Sequence, residues 1–202
     1  MRAAGAFGLA AVLLLCLPDV AHAHAAIAGI GSFYSGMLHP WIVPPHILAI
    51  IAFGLLTGQR GPDYIEVGLA CFVVAIALGL CGADYGVTAP SETVLLALAA
   101  ITGIATAADP PYPRVLGGAL AVVIGILVGL DSAPEAATQR DALMMLAGTG
   151  VGASLALIYA AGLSDYVKKP WLRIGIRVAG SWIAASAILV LALTISGRAL
   201  PK

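Results

Sequence analysis

Charge is what this 202-residue chain has least of: Asp, Glu, Lys and Arg together make up 10% of it, against roughly 25% in a soluble globular domain. Ten basic residues balance ten acidic ones, so there is no basic surface to meet phosphates, and nucleic acid is excluded as a partner. Disorder is excluded as well, since it requires low hydrophobicity and high net charge. Cysteine is scarce. Cys16 falls in the first segment, and Cys71 and Cys81 lie on different faces of one expected helix, about 15 Å apart in rise, so neither a disulfide framework nor a CxxC metal motif exists. Histidine is absent after position 46. HExxH, GxSxG and paired acids within an apolar stretch are all missing, so the signatures of zinc or serine hydrolases are lacking and no enzymatic activity, catalytic residue or permanently bound cofactor is expected. No soluble domain, long linker or internal repeat is visible.

What the chain has is apolar surface. Hydrophobic residues make up 61% and the mean hydropathy is +1.02, values that make lipid the solvent. An integral membrane protein of about one domain's length follows.

Residues 1–23 carry one basic residue (Arg2), an apolar run from Ala6 to Leu17, a breaker at Pro18-Asp19 and the small-residue pattern Ala21-His22-Ala23. This is the layout of a cleavable signal peptide, with an uncleaved first helix as the alternative. Cleavage after Ala23 would leave His24 as the mature N-terminus, whereas the overlapping pattern Ala23-His24-Ala25 would remove it. The remainder, residues 24–202, reads as one domain divided by polar or Pro/Gly punctuation into six apolar stretches: 45–58, 63–82, 91–108, 114–130, 141–163 and 172–196. Each approaches the ~20 residues that cross a bilayer. The expected fold class is therefore all-α, a polytopic bundle of six transmembrane helices after a signal peptide.

Local start signals accompany these stretches. Asp63-Tyr64-Ile65-Glu66 has the form of a capping box, Pro90-Ser91-Glu92 offers a similar cap, and Pro110-Pro111-Tyr112-Pro113 stiffens a turn. With the mature N-terminus outside, Arg60, Arg114, Lys168, Lys169, Arg173 and Arg177 fall on the cytoplasmic side and Arg140, Arg198 and Lys202 outside. That distribution obeys the positive-inside rule and places both termini in the periplasm of a bacterial inner-membrane protein. Asp84, Glu92 and Asp131 gather on the periplasmic side, as solvated loop acids, with attraction of cations as the alternative. Three small-xxx-small pairs, Gly54/Gly58, Gly125/Gly129 and Gly148/Gly152, are expected to bring helix backbones together within the bundle.

The histidines carry the chemistry. His39 and His46 occur in Gly36-Met37-Leu38-His39-Pro40-Trp41-Ile42-Val43-Pro44-Pro45-His46-Ile47-Leu48-Ala49. On an unbroken helix they would be separated by about 10.5 Å of rise, too far to share an ion held at about 2.0–2.1 Å. Pro44 and Pro45 favour a helix start at the Pro-Pro-His boundary, so that residues 39–44 can fold back and bring His39 toward His46. His24, if retained, adds an imidazole and an α-amino group. His24, His39 and His46 are thus the candidate metal ligands, at the periplasmic mouth of the first span, and neutral nitrogen donors suit Ni(II), Co(II), Cu(II) or Zn(II). The alternative is that His39 and His46 satisfy backbone carbonyls at a broken helix end. Thr57, Thr102, Thr149, Ser154 and Tyr159 are the polar residues available to line a path or pack helices.

At the histidine stretch the chain resembles the HupE/UreJ family of hydrogenase and urease accessory membrane proteins, which look like small nickel or cobalt permeases. The family's first-span motif runs His-Pro, four residues, Asp-His, then Leu-Ala-Met; here His39-Pro40, His46 and Leu48-Ala49 fall in register, with Pro45 in place of the aspartate. The likeness continues through Gly54-Leu55-Leu56, Ala77-Leu78-Gly79, Arg173-Ile174-Gly175 and Ala179-Gly180. The fourth-span motif of the family, His-Gly-x-x-His-Gly-x-Glu, corresponds to the stretch from Ile124 to Asp131, which keeps Gly125 and Gly129 without either histidine. A fifth-span histidine is replaced near Ile158-Tyr159. The resemblance implies a divalent transition-metal permease or metal-handling accessory protein, nickel or cobalt favoured, with metalloenzyme maturation proteins as partners. The alternative is a non-transporting scaffold or assembly factor.

Overall fold

The structure is a computed structural model that describes residues 30–87 and 89–199. The expected signal peptide, His24 and Lys202 lie outside the described residues. Among the described residues seven helices follow one another: α1 (Ser32–Ile42), α2 (Pro44–Gly58), α3 (Pro62–Asp84), α4 (Ser91–Ala108), α5 (Arg114–Leu130), α6 (Gln139–Tyr166) and α7 (Pro170–Ala199). Among the described residues there is no strand.

Four helices among the described residues, α3, α4, α6 and α7, are long and apolar enough to cross a membrane. The pair α1–α2 passes the same test together but is bent by 72° at its break, and α5 is a shorter apolar helix. The expected stretches thus return as helices with slightly different ends, except that the first is preceded by an additional helix, α1. Eleven residues are too few to span, and Pro40 and the glycines of this segment obscure a helical signal.

Local chemistry explains the boundaries. Pro44 and Pro45 occupy the first turn of α2, where missing amide donors cost nothing. The expected capping box at Asp63 does not form: α3 begins one residue earlier, at Pro62, and no side chain caps it. Gly61 turns the chain there at φ 94°, a left-handed value open to glycine, and Asp63 pairs with Arg114 instead. The cap expected at Pro90-Ser91 is likewise absent, with Ser91 Oγ donating to the Ala89 carbonyl. A cap does form on α6, where Thr138 Oγ1 accepts the Asp141 amide at 3.1 Å.

All three glycine pairs lie at helix contacts. A Cβ on Gly54 or Gly58 would strike Ala160 and Ala161 of α6. One on Gly125 or Gly129 would meet Phe72, Ala75 and the Gly79 backbone of α3, and one on Gly148 or Gly152 would collide with the carbonyls of Phe33 and Met37 of α1. In lipid such close approach supplies the van der Waals contact that holds helices together. Residue numbers rise together along these contacts, so α1 and α2 both run parallel to α6, and α3 runs parallel to α5. Phe53, Phe72, Ile76, Leu95, Leu96, Ile124 and Val128 fill the space between them.

The two ends of the bundle differ. At one end Arg60 pairs with Asp109 at 2.6 Å, and Arg173 lies 3.6 Å from the same carboxylate. Tyr64 donates to the Tyr112 carbonyl, Tyr112 to the Leu56 carbonyl and Arg177 to that of Ala107. At the other end stand the starts of α1, α2 and α6 and the end of α5.

Candidate metal site at the broken helix

The break between α1 and α2 builds the site. Pro44 and Pro45 have no N–H, so the helix ladder cannot continue past Ile42, and the chain swings through Val43 in an extended conformation at φ −89° and ψ 110°. The Val43 amide still donates to the His39 carbonyl at 3.2 Å, which holds the last turn of α1 closed. The result is that His39 and His46, seven positions apart in sequence, stand with ring centroids 5.3 Å apart and planes at 64°. Two imidazoles sharing one ion through nitrogens at about 2.0–2.1 Å have centroids about 5 Å apart. The fold-back expected from the prolines therefore produces a spacing that fits a shared ion.

His46 is fully buried. Its Nε2 lies 2.9 Å from Oδ2 of Asp131, whose side chain is 23% exposed. Its Nδ1 is buried and has no hydrogen-bond partner among the described residues. Asp131 follows α5 directly, its amide donating to the Leu127 carbonyl, and the next residue, Ser132, returns its hydroxyl to the Val128 carbonyl. Because Gly125 and Gly129 press α5 against α3, the carboxylate is carried on a tightly packed element. Asp131 is thus corrected from a solvated loop acid to a partner of His46. The only hint in the sequence was its place at the end of the fourth-span motif.

His46 lies in the first turn of α2, about 18 Å along the helix from Gly58. Ahead of α2, α1 follows α6 from Ser32, hydrogen-bonded to Asp141 at 2.7 Å, to Met37 against Gly152. Non-helical backbone inside a membrane protein is tolerated where it is enclosed by protein or lines a cavity. Among the described residues no group of three His, Cys, Asp or Glu side chains lies close enough to hold a metal ion, and His24 lies outside them.

The hydroxyls named as lining are used within the bundle. Thr57 donates to Phe53 and Gly54 carbonyls, Thr102 to that of Leu98, and Ser154 to that of Gly150. Thr149 bridges α6 to α1 by donating to the carbonyls of Met145 and Gly36. Tyr159 is exposed on the outside of α6. They pack helices.

Comparison with known proteins agrees with the motif. The family model described as HupE / UreJ protein matches residues 12–190. The chain belongs to the HupE/UreJ family. Protein HupE of Rhizobium leguminosarum bv. viciae is 25% identical over 178 residues, which cover 88% of this chain and 93% of that protein. No solved structure matches. HupE/UreJ membership and the apolar helices together make this a membrane protein of a metal-accessory family, with the altered first-span motif set at a helix break.

Proposed function

We propose that this HupE/UreJ protein captures a divalent transition-metal ion, nickel or cobalt in preference to copper or zinc, at the break between α1 and α2 and passes it across the bacterial inner membrane. The observation that carries the proposal is the 5.3 Å approach of the His39 and His46 rings at a proline-broken span. Neutral imidazoles are borderline ligands suited to these ions, and half-helix ends inside a membrane are recurrent ion sites in transporters. In this reading α1–α2 is one broken span and α5 a short sixth one. The signal peptide is cleaved, both mature termini face the periplasm, and the Arg60–Asp109–Arg173 end faces the cytoplasm, as the positive-inside rule requires. An ion arriving from the periplasm exchanges part of its water for His39 and His46, with His24 joining where it is retained. No catalysis and no permanently bound cofactor are invoked. Maturation proteins of a metalloenzyme receive the ion.

The second reading is a non-transporting scaffold or assembly factor. It is favoured by the absence, among the described residues, of a three-ligand cluster and by the return of the spans' hydroxyls to helix carbonyls.

Uptake of nickel and cobalt into membrane vesicles separates the two. The expected outcome is uptake above empty membranes that is abolished in His39→Ala and His46→Ala and strongly reduced in a Pro44→Ala/Pro45→Ala double variant, whose straightened helix separates the rings. Wild-type uptake equal to that of empty membranes would sink the transport reading.

A further inference from the structure

The His46 ring has two nitrogens in opposite situations. Nε2 is 2.9 Å from the Asp131 carboxylate, and an ionised carboxylate can only accept, so Nε2 must carry the proton. In the neutral imidazole Nδ1 is then the nitrogen with the lone pair, and it is the one buried without a hydrogen-bond partner among the described residues. A buried polar atom left unpaired carries a desolvation cost that a ligand would relieve. Metal-binding histidines characteristically donate their second N–H to a carboxylate, which fixes the tautomer and raises the basicity of the coordinating nitrogen.

We infer that Asp131 is a positioning residue rather than a metal ligand: it accepts the Nε2–H of His46, holds the ring in one tautomer, and leaves Nδ1 as the atom that meets a divalent transition-metal ion. This rests on the metal reading above. The chain thereby obtains from the end of α5 the carboxylate that Pro45 cannot provide next to His46 in sequence. The placement is rigid because α5 is pinned to α3 at Gly125 and Gly129, and because Ser132 Oγ, at 2.6 Å from the Val128 carbonyl, closes the last turn. Oxygen from the carboxylate is kept off the ion, so the ligand set stays nitrogen-rich and favours nickel, cobalt, copper or zinc over magnesium or calcium.

The test uses the full chain in lipid nanodiscs with ring-15N-labelled histidine, the His46 signals being assigned by their loss in His46→Gln, and Zn(II) as a diamagnetic probe. Without metal, the His46 ring is expected as the Nε2-protonated tautomer. On addition of Zn(II), Nδ1 shifts to the metal-bound range while Nε2 keeps its proton. In Asp131→Ala the ring is expected to lose its single tautomer and Zn(II) affinity to fall about 10- to 100-fold, while Asp131→Glu recovers most of both. Zinc bound through Nε2, or an Asp131→Ala protein with unchanged tautomer and affinity, overturns the positioning role alone. A His46 ring that is Nε2-protonated yet untouched by Zn(II) overturns the metal reading and the Nδ1 assignment with it.

Discussion

Tyr112, in the loop between α4 and α5, is held between α2 and α3: its hydroxyl donates to the Leu56 carbonyl, Arg60 lies over its ring and Tyr64 meets it edge-on. Burial pushes its phenol from the ordinary 10.0 up to about 12, against the opposing pull of the Arg60 charge and with small upward contributions from Tyr64 and Asp109. A folded-state value raised above the unfolded one means that the folded protein holds the proton more tightly. The associated stability is fully present below pH 10.0 and is lost as pH rises through about 12. Thermal unfolding in detergent should therefore show a fall in midpoint across that window that is shallower in Tyr112→Phe, which has no phenol to ionise. Equal slopes in the two proteins would refute the burial of this hydroxyl. The same scale shows what was legible in single residues. His39 and His46 stood out because histidine occurs nowhere after them, and the prolines between them announced the break. Asp131 did not stand out, because a carboxylate at a helix end is ordinary and its partner lies 85 positions away.

Elements were more legible than their caps. Long apolar runs show where helices lie, since backbone groups in lipid must be satisfied within their own segment. Helix starts at Pro62 and Ser91 depended on positive-φ glycine and proline geometry rather than on the side-chain caps that the local sequence suggested. The additional helix α1 was hidden for a related reason: it is held less by its own pattern than by α6, whose Gly148 and Gly152 admit its backbone at distances no Cβ would allow. Gly152→Ala should consequently destabilise the protein by about 1–3 kcal/mol through overpacking against Met37. Gly162→Ala, on the same helix with nothing within 4 Å, should be neutral or stabilising by up to about 1 kcal/mol. Denaturant titration of the two variants side by side measures this, and equal effects would show that α1 is not packed on α6 in this way.

At the scale of the whole molecule, the balanced charge separates into two ends. Arg60, Asp109, Arg173, Arg177 and the Arg114–Asp63 pair tie together α2, α3, α4, α5 and α7 at one end, and the His46–Asp131 contact ties α2 to α5 near the other. The proposed orientation predicts that, in spheroplasts carrying a variant with Cys16, Cys71 and Cys81 replaced by Ser, a Glu135→Cys protein reacts with a membrane-impermeant maleimide. Lys169→Cys should react only after permeabilisation. The reverse pattern would invert the molecule and place the histidine break toward the cytoplasm. Sequence by itself determined the solvent, the helical class and the number of apolar stretches, because hydropathy and backbone satisfaction act segment by segment. It also determined that the first span breaks, since proline lacks an amide wherever it sits. Only the tertiary structure decided that α1 exists as a separate helix packed on α6 and that Asp131 faces His46. Each of those depends on how closely helices distant in sequence can approach, and that is set by the packing of glycine-lined faces against one another, which no local period encodes.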